Sequence, residues 1–213
     1  LSQVRIKRLL TFSTINHVGF LLLALAVSTE ESVEGFVFYL VQYSLTNVNT
    51  FLTILAFGYN TKGILQNNSS VREFVLLDDL KGQFYKNPLL VISFSVSLFS
   101  MAGIPPLMGF FAKQMVLYSV SYNYSYVAIL AIVMSVISAS YYLKIVQLMF
   151  FQKDSAPTIL SSEGETSETG TPLITSMHSS VIAILTLMIS LYLFDSSILL
   201  NACHLLSLSL FSS

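Results

Sequence analysis

Charge is scarce in this sequence: charged residues fill 10% of its 213 positions, against about 25% in a typical soluble domain. The sequence has ten Lys and Arg and eleven Asp and Glu, so it has no excess of positive charge of the kind that binds nucleic acid. Cys203 is the single cysteine, which excludes a disulfide scaffold. A chain that is 54% hydrophobic is also too apolar to be disordered. The composition therefore favours an integral membrane protein.

Motifs of common enzyme sites are also missing. The sequence has no glycine-rich phosphate loop, no nucleophile beside a base, and no His, Cys, Asp or Glu pair at a metal-ligand spacing. We therefore expect no cofactor, no metal and no hydrolytic site in this chain.

Five hydrophobic stretches are each long enough to cross a hydrocarbon core of about 30 Å as a helix. They lie at about residues 9–27, 35–58, 89–120, 126–151 and 173–200, the last covering 173–193 at its shortest. Because backbone groups must pair internally in lipid, all five are predicted to be helices. We therefore expect one all-α transmembrane domain over residues 1–213.

The third stretch is too long and too irregular for one straight helix, which would extend about 48 Å. Pro105 and Pro106 remove two N–H donors and clash with the preceding turn. Together with Gly103 they predict a break over residues 103–107, so that the third span is discontinuous. Broken helices mark ion sites in transporters, whereas a simple proline kink is the alternative.

Lys113 lies deep inside the same stretch. A charged lysine near the bilayer centre costs about 2.5–3.5 kcal/mol on insertion scales, so it usually faces a hydrated interior and marks an ion or proton path. The alternative is a lysine whose ammonium snorkels to the interface. We predict that Lys113 belongs to a proton path.

Further polar residues lie within the other stretches. His17 can relay protons near physiological pH or serve as a hydrogen-bonded packing residue. Tyr43, Ser44 and Asn47 form a candidate polar path, or they hold helices together. Lys144 lies about two turns from the end of the fourth stretch, where it joins the proton path or snorkels.

Connector charges predict the orientation of the chain. If the five stretches alternate in direction, all connector bases fall on one side: Arg5, Lys7, Arg8, Lys62, Arg72, Lys81, Lys86 and Lys153. The connector between the first two stretches carries only acidic residues. The positive-inside rule assigns the basic side, with the N-terminus, to the cytosol or the organelle matrix, and the C-terminus to the opposite side.

Three segments resemble antiporter-like subunits of respiratory NADH:quinone oxidoreductase. Residues 1–20 resemble the family segment Q-x-x-I-K-R-L-x-x-Y-S-S-I-x-H-x-G, residues 102–113 resemble A-G-I-P-P-x-x-G-F-x-x-K, and residues 141–144 are similar to Y-Y-L-[RK]. The second segment ends in Lys113 rather than Glu, and Tyr43 stands where the chain 4 type has His. Both features are similar to the chain 2 type, which is the bacterial N type.

The resemblance implies that the chain supplies the last five helices of such a subunit and that Lys113 is its buried lysine. It implies a non-redox membrane subunit of a proton-translocating NADH:ubiquinone reductase, with Lys113, His17 and Lys144 on the proton path. Quinone reduction then occurs elsewhere in the complex. The family's glutamate on helix five and lysines on helices seven and eight are missing, so we expect a fragment or one half of a split subunit.

The expected partners are other membrane subunits of complex I, including other antiporter-like subunits, the missing N-terminal half of the same subunit, and membrane lipid, but no nucleic acid. The resemblance implies the mitochondrial inner membrane, with the N-terminus in the matrix and the C-terminus in the intermembrane space; a bacterial plasma membrane is the alternative. Two other functions stay open: a cation/proton antiporter subunit and a purely structural membrane anchor.

Overall fold

A computed structural model describes residues 5–64, 77–152 and 176–211, apart from positions 193 and 195. Every secondary-structure element in these ranges is helical, which confirms the predicted all-α class. The α-helices are α1 (Ile6–Val27), α2 (Glu30–Ile64), α3 (Gln83–Lys86), α4 (Pro88–Ala102), α5 (Met108–Asn123), α6 (Ser125–Phe151), α7 (Ser176–Leu191) and α8 (Ser197–Phe211), with a 3-10 turn at Leu77–Leu80. Arg72 and Lys153, which we counted on the basic side, lie outside the described residues.

Two of these helices, α1 and α6, are long and apolar enough to cross a membrane by length and composition. Shorter apolar helices lie at Pro88–Ala102, Met177–Leu191 and Ser197–Leu210. The third predicted stretch consists of α4 and α5, and residues 103–107 separate the two helices.

The last stretch differs from the single span expected over about 173–200. Its first helix ends at Leu191 and the next begins at Ser197. The N–H of Phe194 closes a turn on the carbonyl of Leu191 at 2.9 Å. The intervening sequence includes Asp195 and Ser196, residue types that favour the start of a new helix over the continuation of an apolar one. Both helices are apolar, so hydropathy alone did not show that the stretch is divided into two helices.

Helix α2 lies at the centre of the bundle and packs against α1, α4, α5, α7 and α8. Two apolar clusters surround it. One joins the start of α1, the end of α2, α4 and the end of α6, and the other joins the end of α1, the start of α2 and α5. The buried polar side chains include Ser13, His17, Gln42, Asn49 and Lys113.

Candidate functional site

The site is built around the interruption between α4 and α5. Gly103 adopts φ +83°, a left-handed conformation that glycine accepts without strain. Its N–H donates to the carbonyl of Ser100 at 3.1 Å, and the N–H of Ile104 donates to the carbonyl of Phe99 at 3.1 Å. This Schellman arrangement ends α4. Because the chain then turns away, the carbonyl of Ala102 has no partner within the helix.

Lys113 supplies that partner from α5. Its Nζ donates to the carbonyl of Ala102 at 3.0 Å and to Ser135 Oγ of α6 at 3.1 Å. The ammonium also lies 5.7 Å from the centroid of the Phe20 ring, within the cation–π range of about 6 Å. The carbonyl end of a helix carries the negative end of its dipole, so α4 stabilises a positive charge at this point.

The lysine does not snorkel, because its side chain is only 6% exposed. Within the described ranges, no carboxylate forms an ion pair with it. Its positive charge is therefore held by a backbone carbonyl, a hydroxyl and an aromatic face. These neutral groups stabilise the ammonium less strongly than a carboxylate in an ion pair would. Such an environment is compatible with a group that exchanges its proton.

Two glycines allow this close packing. A Cβ atom on Gly103 would lie 3.0 Å from Cδ of Lys113 and 3.4 Å from its Nζ. A Cβ atom on Gly109 would lie 1.8 Å from the carbonyl oxygen of Ser100. The lysine therefore passes directly over Gly103, and the first turn of α5 rests on the last turn of α4. A side chain at either glycine would displace the lysine or separate the two helices.

His17 forms a second centre, and both of its ring nitrogens are engaged. Nδ1 lies 2.7 Å from the Tyr39 hydroxyl, and Nε2 lies 3.1 Å from the Tyr142 hydroxyl, which also forms a hydrogen bond with Ser13. The imidazole stacks on Tyr43, with ring centroids 4.7 Å apart. In a neutral imidazole one nitrogen donates and the other accepts, so His17 can pass a proton between hydroxyls of α2 and α6.

No direct hydrogen bond joins the Lys113 and His17 centres, but residues of the same helices line both. Phe20, which contacts the ammonium of Lys113, lies one turn after His17 on α1. Ser135 and Tyr142, which contact Lys113 and His17 respectively, lie two turns apart on α6. Lys113, on α5, and His17, on α1, thus both contact side chains of α6.

The remaining predicted residues lie further out. Ser44 is exposed and donates to the carbonyl of Leu40 at 2.8 Å, and Asn47 Nδ2 donates to the Tyr43 hydroxyl at 3.5 Å. These residues line an open groove of about 420 Å³ on α2. Lys144 is exposed on α6 and contacts neither centre. Pro105 and Pro106 lie in the interruption itself and are joined by a cis peptide bond.

Several residues of the site escaped the sequence analysis, above all Tyr39 and Ser135. A signal for Tyr39 exists: it and His17 are equally distant along the chain from Ser28, which ends α1 with a left-handed φ of 54°. Two antiparallel helices joined by a tight turn bring such positions to the same level. No comparable signal marks Ser135, because its position depends on how α6 packs against α5.

Comparisons with known proteins identify the family to which the chain is similar. The chain matches the family described as NADH:quinone oxidoreductase/Mrp antiporter, TM, over residues 1–138. It is 49% identical over 228 residues to NADH-ubiquinone oxidoreductase chain 2 of Rhizopus oryzae, with 99% of this chain and 43% of that protein covered. It is 40% identical over 154 residues to NADH-quinone oxidoreductase subunit N of Hydrogenovibrio crunogenus, with 72% and 30% covered. The chain thus spans less than half the length of these relatives.

Solved structures show the same fold. A chain of respiratory complex I from Thermus thermophilus with bound aureothin matches with a TM-score of 0.67 and 26% identity, over 93% of this chain and 40% of that chain. A chain of the Mrp complex from a Dietzia species matches with a TM-score of 0.74 and 19% identity, over 97% and 43%. The second likeness concerns the fold alone.

Proposed function

The chain belongs to the NADH:quinone oxidoreductase/Mrp antiporter transmembrane family, and on that basis we propose that it acts within a membrane subunit that moves protons while quinone is reduced elsewhere in the complex. The observation that carries the proposal is the Lys113 ammonium, which is buried and held by the carbonyl of Ala102 at the helix break. Such a group can exchange a proton in a place that is protected from bulk water, and quinone reduction is assigned in this proposal to other subunits.

Lys113 loads a proton because the carbonyl end of α4 and the hydroxyl of Ser135 favour its charged form. It unloads the proton when a second positive charge approaches along the membrane, since like charges disfavour each other's protonation. Quinone reduction elsewhere in the complex would supply that change of charge. The broken helix leaves backbone groups available to water, as in other transporters.

His17 connects this lysine to the rest of the path. Its imidazole bridges the Tyr39 and Tyr142 hydroxyls, so a proton that enters at one hydroxyl can leave at the other. The groove beside Tyr43 and Asn47 is a place where the path can continue into a neighbouring helix. Lys144 is exposed on α6 and joins the path only if a neighbouring subunit encloses that face; in its absence the path depends on Lys113 and His17.

The proposed topology has five membrane crossings: α1, α2, α4 with α5, α6, and α7 with α8. The basic flank at Arg5 and Lys7 then faces the matrix, and the C-terminus faces the intermembrane space. The fungal chain 2 relative supports the mitochondrial inner membrane, and the bacterial subunit N relative supports a plasma membrane as the alternative. In either membrane the partners would be other membrane subunits of the complex.

The variant Lys113→Met in the full complex tests the proposal. We expect NADH-driven proton uptake by membrane vesicles to fall by about tenfold or more, since positioned proton-transfer groups contribute about 10²–10⁴-fold. Gly58→Ala is the control, because its Cβ would meet nothing within 4 Å. Unchanged proton pumping per NADH oxidised in Lys113→Met would remove Lys113 from the path.

A cation/proton antiporter subunit is the second candidate, favoured by the shared fold with the Mrp complex chain. Sodium- or potassium-dependent transport without a redox partner would support it. A purely structural anchor would instead retain full pumping after substitution of Lys113, His17 and Lys144 together.

A further inference from the structure

A second line of polar groups lies between α2 and α4, apart from His17. Gln42 Nε2 donates to Ser100 Oγ at 3.2 Å, and Asn49 Nδ2 donates to Ser97 Oγ at 2.8 Å. Ser97 Oγ in turn donates to the backbone carbonyl of Ser93 at 3.1 Å. None of the five side chains is more than 6% exposed. We call these five residues the α2–α4 polar seam.

Two buried atoms of the seam are unpaired among the described residues: Asn49 Oδ1 and Ser93 Oγ. Reversing the amide of Asn49 would not help, because the Ser97 hydroxyl already donates its hydrogen to Ser93 and can only accept from an N–H. Ser93 and Ser97 lie one turn apart on the same face of α4. Because Asn49 contacts Ser97, the two unpaired atoms lie about one helical turn apart on the same interface.

Unpaired polar atoms at this depth need a partner that the described residues do not supply. Leaving one unsatisfied costs about 1–3 kcal/mol, and buried polar groups in native proteins almost always pair with protein or ordered water. A carboxamide oxygen only accepts, whereas a serine hydroxyl both donates and accepts. One water molecule fits both, since it can donate to Asn49 and accept from Ser93. A hard cation would take about six or more oxygen ligands, and the seam offers neither that number nor a negative charge.

The seam reaches the helix break. Ser100 Oγ, which accepts from Gln42, also accepts from the N–H of Gly109 at 3.2 Å. Ser100 lies two residues before Ala102, whose carbonyl holds Lys113. Polar groups therefore run from Ser93 for about 10 Å along α4 to the level of the lysine.

Apolar side chains pack at the Ser93 end of the seam. The rings of Phe57 and Phe94 meet edge to face with centroids 6.1 Å apart, and both side chains are almost fully buried. Phe94 directly follows Ser93 on α4, and Phe57 lies about two turns beyond Asn49 on α2. Such a pair can act as the closure that a pump needs, because a route open to both sides at once would leak protons, and apolar constrictions close pores by excluding water.

We propose that the α2–α4 polar seam binds ordered water and that this water is a proton-access branch to Lys113, separate from His17 and closed by Phe57 and Phe94. The proposal rests on the proposed function of Lys113. The ligand is water, and Asn49 Oδ1 and Ser93 Oγ bind it.

Asn49→Leu and Ser93→Ala in the full complex test the branch, because each removes one water-binding atom at small cost in volume. We expect NADH-driven proton uptake by vesicles to fall about two- to fivefold in each variant, and to fall further when either is combined with His17→Gln. Thr50→Val is the matched control and should pump normally. Thr50 adjoins Asn49 and is equally buried, but its hydroxyl donates only to the backbone carbonyl of Thr46.

The outcomes separate this inference from the proposed function. If Lys113→Met slows pumping while Asn49→Leu and Ser93→Ala pump as well as Thr50→Val, the water branch is wrong and the lysine path stands. If Lys113→Met pumps normally, the proposed function itself fails. Ser93→Ala decides the matter if Asn49→Leu does not assemble, since it removes a single oxygen atom.

A density map of the full complex gives an independent reading. The branch requires a water peak within hydrogen-bonding distance of both Asn49 Oδ1 and Ser93 Oγ. Direct apolar contact at this level, or a coordinated cation with pumping that depends on sodium, would overturn it.

Discussion

Lys113 lies on the 16-residue helix α5 and Lys144 on the 27-residue apolar helix α6, and their surroundings differ completely. Lys113 lies just over one turn into α5, beside the end of α4, and its ammonium donates to the carbonyl of Ala102. Lys144 lies within the unbroken helix α6, where the carbonyls already pair within the helix, and its side chain is exposed. An interrupted helix therefore provides what an intact helix cannot: a buried acceptor for a positive charge.

This contrast shows why the break and the lysine belong together. Burying an ammonium without a partner is costly, and an acidic partner would hold the proton too firmly for exchange. The Ala102 carbonyl, the Ser135 hydroxyl and the Phe20 ring are neutral. They lower the free-energy cost of burying the ammonium. The protonation of Lys113 still responds to changes in nearby charge.

Replacing each lysine by arginine should produce the largest difference between the two sites. A guanidinium stays protonated at all accessible pH values, so Lys113→Arg keeps the charge but cannot release the proton. We expect proton pumping by the full complex to fall about tenfold or more, whereas Lys144→Arg should pump normally. Measuring proton uptake and NADH oxidation in the same vesicles checks this. Normal pumping by Lys113→Arg would mean that the site needs a fixed charge and not an exchangeable proton.

Gly103→Ala should impair the Lys113 region without altering the lysine. Alanine at φ +83° costs about 1–2 kcal/mol, and its Cβ would lie 3.0 Å from Cδ of Lys113. We expect a lower melting temperature of the complex and pumping reduced about fivefold. Gly58→Ala, in an open helical position, should be neutral or slightly stabilising. Equal melting and pumping of the two variants would show that the lysine does not depend on this turn.

His17→Gln should have an intermediate effect. Glutamine can still hydrogen-bond Tyr39 or Tyr142, so the fold should persist, but its amide cannot take up and release a proton as an imidazole can, so the relay should weaken. We expect pumping to fall about threefold with an unchanged amount of assembled complex, measured by native gel. A loss of assembly with normal pumping per assembled complex would assign His17 to packing alone.

Lys144→Gln should have the smallest effect, because the side chain is exposed in this chain. Exposed substitutions usually change stability by less than about 0.5 kcal/mol, and we expect pumping to change by less than about twofold. A tenfold loss of pumping would show that a neighbouring subunit encloses Lys144 and that the two lysines are equivalent.

The sequence revealed the break well, for a physical reason. A stretch too long for one crossing that contains Gly103, Pro105 and Pro106 has few ways to remain a continuous helix, and residues 103–107 do separate α4 from α5. Lys113 stood out because a charge is costly in lipid. These are local properties, and local properties can be inferred from one sequence.

Tertiary contacts could not be inferred in the same way. Ser135 meets Lys113 only because α6 packs against α5 at one particular register. The seam depends on Asn49 and Ser97 facing each other across α2 and α4, and neither looks unusual among the many serines and asparagines of the chain. The division between α7 and α8 was hidden because the apolar character on both sides is continuous.

Infrared difference spectroscopy of the full complex, reduced with NADH and carrying ¹⁵N-labelled lysine, tests the central claim most directly. If Lys113 loads and unloads a proton during turnover, reduction should change an isotope-sensitive ammonium band that disappears in Lys113→Met and persists in Lys144→Gln. The same band in Lys113→Met, unchanged in size, would show that Lys113 does not change its protonation during turnover.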